Sequence, residues 1–107
     1  MREIEPRALA ERLASGESTM LLDVREPWEH ALVALPGSVL VPLGELASRH
    51  GELAPGAGTL LVTYCHHGIR SLQAAGFLAA NGHPDVVSLA GGIDAWARVV
   101  NPATTRY

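Results

Sequence analysis

Short apolar runs alternate along this chain with stretches whose apolar residues recur at helical spacing, and proline or glycine separates nearly every pair. Pro6 is suited to open a helix, and Leu9 and Leu13 recur at i, i+4 with Ala10 and Ala14 on the same face, before Ser15-Gly16 ends it. Residues 20–24 then read as a buried strand, which Pro27 breaks because proline lacks the donor needed to continue a ladder. The pattern over 28–34 fits either irregular backbone or one short helix. Pro36-Gly37 marks a turn, 38–41 a second strand, 44–49 a short helix, and 51–58 a surface loop rich in glycine, alanine and proline. Residues 59–64 form a third apolar run, and 72–80 a helical pattern that stops at Asn81-Gly82. After a turn at His83-Pro84 come a short strand at 86–89, a turn at Gly91-Gly92 and a helix over 93–99, with Trp96 expected on the core. Residues 101–107 read as a polar tail.

Short apolar strands alternating with helices call for a parallel sheet covered on both faces and joined by right-handed crossovers. In such sheets ligands sit beyond the carboxyl ends of the strands. Asp23, Arg25 and Cys65 all fall at or just past such ends, so they are expected to share a rim.

At 107 residues and 48% hydrophobic composition, one domain spanning 1–107 with a single sizeable core is expected. The net charge of −3, with no basic cluster, argues against nucleic acid as a partner. No apolar run is long enough to span a bilayer, so no membrane partner is expected. One cysteine excludes an internal disulfide and any CxxC metal site. A free thiol fits a reducing cytoplasm.

That cysteine lies in Cys65-His66-His67-Gly68-Ile69-Arg70-Ser71, between a strand and a helix. Loop N–H groups and a helix N-terminus converge at such a junction, and both favour an anion. A thiolate is the nucleophilic form of cysteine, so Cys65 is the candidate nucleophile. Gly68 suits a loop that must turn with positive φ and approach a ligand closely. A lone cysteine is by composition more often a small buried hydrophobe, but a structural cysteine needs neither the polar loop nor the helix start that follow this one. His66 and His67 have two open readings: cations that attract a doubly negative substrate and favour the thiolate, or exposed loop residues without a specific task. Arg70 is expected either to hold a substrate oxygen or to pair with Asp23 or Glu26 and lock the loop, and Arg25 carries the same ambiguity. A metal held by Cys65, His66 and His67 is not expected, because adjacent side chains converge poorly on one ion.

Cys-x-x-Gly-x-Arg-Ser at a strand-to-helix junction resembles the active loop of the rhodanese-type sulfurtransferases. Leu21-Leu22-Asp23-Val24-Arg25-Glu26-Pro27-Trp28-Glu29, Leu35-Pro36-Gly37-Ser38-Val39, Pro42-Leu43, and Leu89-Ala90-Gly91-Gly92-Ile93-Asp94-Ala95-Trp96 resemble further family segments, in family order. Val33-Ala34 stand where the family often has Gly-His, a local departure that leaves the loop untouched. The resemblance implies a three-layer α/β fold with a central, mostly parallel sheet flanked by helices. It implies a Cys65 persulfide, with His66, His67, Gly68, Ile69, Arg70 and Ser71 lining the substrate site. The expected partners are a small sulfur-containing anion, thiosulfate or a persulfide, and a thiol or cyanide acceptor, with a protein sulfur acceptor as a further option. No metal or cofactor is called for.

Two rivals stand beside that enzyme. The segment 94–107 looks like the C-terminal rhodanese domains attached to enzymes that adenylate sulfur-carrier proteins, which suggests a sulfur-relay module. Related folds carry a Cys…Arg phosphate loop, which suggests a phosphatase. Only four residues separate Cys65 from Arg70 here, one fewer than in those phosphatases.

Overall fold

The computed structural model describes residues 2–107. Among them, β1 (Glu3–Ile4), β2 (Thr19–Asp23), β3 (Val39–Leu40), β4 (Leu60–Tyr64) and β5 (Val86–Leu89) form one sheet in the order β1-β5-β4-β2-β3. Every pairing is parallel. The helices are α1 (Pro6–Ala14), α2 (Pro27–Leu32), α3 (Leu46–Arg49), α4 (Ile69–Ala80) and α5 (Gly92–Val99).

Side chains on successive strand positions point to opposite faces, and the apolar runs divide accordingly. Leu22, Leu61 and Val86 face one core with Leu46 of α3 and Ala74, Ala75 and Leu78 of α4. Leu21, Val62, Val87 and Leu89 face the other, with Leu9 of α1 and Ile93 and Trp96 of α5. Both faces of the sheet are therefore covered, which is why its inner strands are mostly apolar on both sides rather than alternating regularly with polar residues.

The central strand β4 lies between β2 and β5. The chain leaves β2 toward β3 on one side and leaves β4 toward β5 on the other, so the order reverses between β2 and β4. Such a switch point opens a crevice at the carboxyl ends of the two strands. Cys65 follows the last residue of β4, and Asp23 ends β2.

One open expectation is decided, one changes, and one element was not expected. Residues 28–34 contain a real helix, α2, because Pro27 sits at its start and Glu26 and Glu29 cap each other's backbone reciprocally. α4 begins at Ile69 rather than at 72, so Arg70 and Ser71 belong to its first turn. The short edge strand β1 goes unannounced by a two-residue apolar pattern, and its register on β5 comes from the sheet. None of the helices of the described residues is long and apolar enough to cross a membrane.

Candidate active site

Cys65 is set by the strand behind it and the helix ahead of it. Thr63, two residues earlier, donates its hydroxyl to the Ser71 carbonyl at 2.9 Å, tying β4 to the first turn of α4. Gly68 caps α4 with φ of 105°, a backbone that side chains with a Cβ rarely adopt. The loop thereby curls back on the thiol. The Gly68 N–H points at Cys65 Sγ at 3.1 Å, the Ser71 N–H at 3.4 Å, and Ser71 Oγ lies 3.5 Å away. Two backbone donors and the start of a twelve-residue helix thus meet at one sulfur, an arrangement that favours negative charge there. Ser71 Oγ is itself fixed by Ser88 of β5 at 2.8 Å.

The other side of the loop is held by α5. The N–H groups of Ile93 and Asp94 donate to the carbonyls of Cys65 and His66 at 2.9 and 3.1 Å. Gly92 lies so close beneath that a Cβ there would come within 2.4 Å of the His66 carbonyl oxygen and 2.5 Å of that of Cys65. Gly91-Gly92 is therefore a close-approach site as well as a turn.

Arg70 does not pair with Asp23 or Glu26. Its guanidinium forms a two-pronged bridge to Glu29 of α2, at 2.6 and 3.0 Å, and this partner holds Arg70 firmly charged. Burial pushes the Glu29 carboxyl up, but hydrogen bonds from Arg70, the Glu26 N–H and Tyr107 outweigh it and hold the group at about 2. Arg25 is fully buried. It grips both oxygens of Asp23 at 2.8 and 2.7 Å and the Val33 carbonyl at 2.6 Å. Burial opposes both charges, yet their mutual hydrogen bonds keep Asp23 below and Arg25 above the usual values. Asp23, Arg25 and Cys65 thus lie at one end of the sheet, but the first two form a buried strut.

His66 and His67 differ. His67 is exposed, whereas His66 is partly buried in a stack, 3.9 Å from the His67 ring on one contact and 3.9 Å from the Tyr107 ring on another. Desolvation, then repulsion from His67, pushes the His66 ring below its ordinary value, so it is a poor cation at neutral pH. His66, His67 and Asp94 come within metal-ligating reach of one another. The Asp94 carboxylate, however, already accepts from Arg98 and Arg106. Ile69 is exposed on the first turn of α4, next to an open groove of about 760 Å3 that Leu72 and Phe77 also line.

Glu29, Tyr107, Gly92 and Ser88 were not among the candidate site residues of the sequence. Glu29 had a signal, since it stands three residues after Glu26 in a capping-box spacing. Tyr107 had none, because nothing local announces where a tail folds back.

Similarity to known proteins identifies the family. The rhodanese-like domain model matches residues 5–99, and the chain belongs to that family. It is 37% identical to a sulfurtransferase of Allochromatium vinosum, over 92% of this chain and 90% of the relative. It is 36% identical to the probable adenylyltransferase/sulfurtransferase MoeZ of Mycobacterium tuberculosis, over 97% of this chain but only 26% of that protein. The chain thus spans about a quarter of that relative's length. A solved structure of a rhodanese-related protein from Thermoplasma volcanium superimposes with a TM-score of 0.84 at 29% identity, covering both chains in full. The all-parallel three-layer architecture is the rhodanese-like fold.

Proposed function

We propose that this protein is a sulfurtransferase that carries a sulfane sulfur on Cys65 and takes it from thiosulfate or a persulfide. The observation that supports this most is the convergence of the Gly68 and Ser71 N–H groups on Sγ, at 3.1 and 3.4 Å. The Cys65 thiolate attacks the outer sulfur of thiosulfate. A sulfur–sulfur bond forms to Cys65, the bond inside thiosulfate breaks, and sulfite leaves with the electron pair. Cyanide or a thiolate then attacks the outer sulfur of the persulfide, and the Cys65 thiolate leaves. The two half-reactions imply ping-pong kinetics. Inward-pointing N–H groups are fixed donors toward the sulfur anion in both steps, with no reorganisation required at the moment of reaction.

Two features weigh against a phosphatase. Arg70 turns both terminal nitrogens to Glu29, where a phosphate loop needs them for phosphoryl oxygens. Cys65 is only 1% exposed, which suits attack on a protruding terminal atom, such as the outer sulfur of thiosulfate, better than attack on the central atom of a phosphoryl group. A second reading, a module that relays sulfur to a protein acceptor, is favoured by the likeness to MoeZ and by the open apolar groove beside the loop. It uses the same persulfide and differs only in the acceptor.

The test is formation of thiocyanate from thiosulfate and cyanide, beside hydrolysis of an aryl phosphate. The unmodified protein is expected to turn over the first and not the second. Cys65→Ser, which keeps the shape and loses the nucleophile, is expected to be inactive with its fold retained. Thiocyanate formation by that variant, or faster turnover of the phosphate, contradicts the reading.

A further inference from the structure

We propose that Tyr107 is a positioning residue for the Cys65 loop, holding the His66 ring by stacking and Arg70 by way of Glu29. The kinetic consequence of this proposal rests on the sulfurtransferase reading; its structural consequence does not.

The segment after α5 was expected to be a polar tail, yet it ends against the active loop. The Tyr107 ring lies over His66 at 3.9 Å with the planes only 7° apart, and the edge of Trp28 meets it at 5.9 Å. Its hydroxyl donates to Glu29 Oε2 at 2.6 Å and accepts from Arg25 Nη1 at 2.9 Å. Arg25 is an immobile base for this contact, since Asp23 and the Val33 carbonyl hold it from the other side. Glu29 in turn holds Arg70, one residue before the Ser71 N–H that points at the thiol. A single side chain therefore joins the buried strut behind β2 to both halves of the loop, His66 after Cys65 and Arg70 before Ser71.

The hydroxyl keeps its proton at any ordinary pH, because burial and then the neighbouring Glu29 carboxylate push the phenol up to about 12. It thus serves as a donor to Glu29 rather than as an acid or base. The charged and titratable groups around the His66 ring are His67 on its own loop, Glu29 on α2, Asp94 on α5 and Tyr107. Among these Tyr107 supplies the flat cover that dries one face of the ring. A tail that merely packed on the core would use Tyr107 as an apolar surface, and would not aim its hydroxyl between two buried charges.

The experiment compares Tyr107→Phe and Tyr107→Ala in the full chain by four readouts. NMR follows the titrations of the His66 ring and the Glu29 carboxyl and the exchange of the Gly68 and Ser71 amide protons, and rapid mixing follows loading of Cys65 by thiosulfate. Tyr107→Ala is expected to raise the His66 titration midpoint toward the ordinary imidazole range, speed exchange of both amides, and slow loading by about 10- to 100-fold, in the limiting rate more than in the half-saturating thiosulfate concentration. Tyr107→Phe keeps the stack, so the His66 midpoint should stay low while loading falls by only a few-fold and the Glu29 carboxyl titrates higher. Should the alanine variant not fold, the phenylalanine variant decides through Glu29 and loading. Unchanged His66 and Glu29 titrations overturn the proposal, as does equal loading by all three proteins. If the unmodified protein takes up no sulfur at all, the sulfurtransferase reading fails, and the three NMR readouts, which need no turnover, still decide the role of Tyr107.

Discussion

Glu29→Gln removes one charge at the centre of the network that fixes the active loop, and its cost follows from the contacts. The carboxylate accepts from the Glu26 N–H, both terminal nitrogens of Arg70 and the Tyr107 hydroxyl. Glutamine keeps the shape but turns an N–H2 toward at least one of those donors and leaves Arg70 without its counter-charge. Hydrogen bonds to charged groups contribute about 1.5–3 kcal/mol each. Arg70, with its side chain 35% exposed, can recover part of its loss from water. A net destabilisation of about 2 kcal/mol is expected. Titration leads to a similar figure. A carboxyl held at about 2, against about 4.3 in an unfolded chain, corresponds to ~3 kcal/mol at 1.36 kcal/mol per pH unit, and solvent near Arg70 cuts that toward about 2. In a domain of this size the change lowers Tm by roughly 10 °C. Because the folded value lies below the unfolded one, the contribution is complete above about pH 4.3 and is lost as pH falls through about 2. Urea unfolding of both proteins at several pH values checks this. The gap between them should be constant near neutrality and narrow below about pH 4. A gap under about 0.5 kcal/mol at pH 7, the range of ordinary surface changes, or one that does not narrow in acid, refutes the reasoning.

Two further substitutions probe the loop directly. Ser71→Ala removes the hydroxyl 3.5 Å from Sγ while leaving the Ser71 N–H in place. That hydroxyl accepts from the thiol and donates to the Gly68 carbonyl at 3.2 Å, so its loss loosens the loop; thiosulfate loading should slow by roughly 10-fold, about 1.4 kcal/mol, and an unchanged loading rate in rapid mixing excludes the hydroxyl from the site. Gly92→Ala forces a Cβ against the Cys65 and His66 carbonyls at a backbone φ of 64°. It should destabilise the protein by ~1–3 kcal/mol and slow loading, which thermal melts and the same mixing assay would show; a variant equal to the parent in both contradicts the described approach of α5 to the loop.

The elements legible in the sequence were those with a local cause. Apolar runs at 20–24, 59–64 and 86–89 found the three inner strands within a residue or so of their bounds, because a buried parallel strand needs little beyond continuous apolar side chains. Cys65 and Gly68 stood out because a strand-to-helix loop imposes its own chemistry. The first turn of α4 was missed because Ile69, Arg70 and Ser71 lack an apolar helical face: Ile69 points to solvent and Arg70 to Glu29. The partner of Arg70 was misplaced for a different reason. Asp23, Glu26 and Glu29 lie within seven positions of one another, from the last residue of β2 onward, and only the capped turn of α2 brings the last of them to Arg70, 41 residues away in sequence. Tyr107 is the furthest case, since its contacts with Arg25 and Glu29 span 82 and 78 positions and no short-range pattern encodes them.

The central claim is that Cys65 holds a transferable sulfur, and intact mass spectrometry of the protein after incubation with thiosulfate tests it most directly. The account predicts a gain of one sulfur atom, its absence in Cys65→Ser, and its loss when cyanide is added. An unmodified mass in the parent protein, or a sulfur gained by Cys65→Ser, would contradict it.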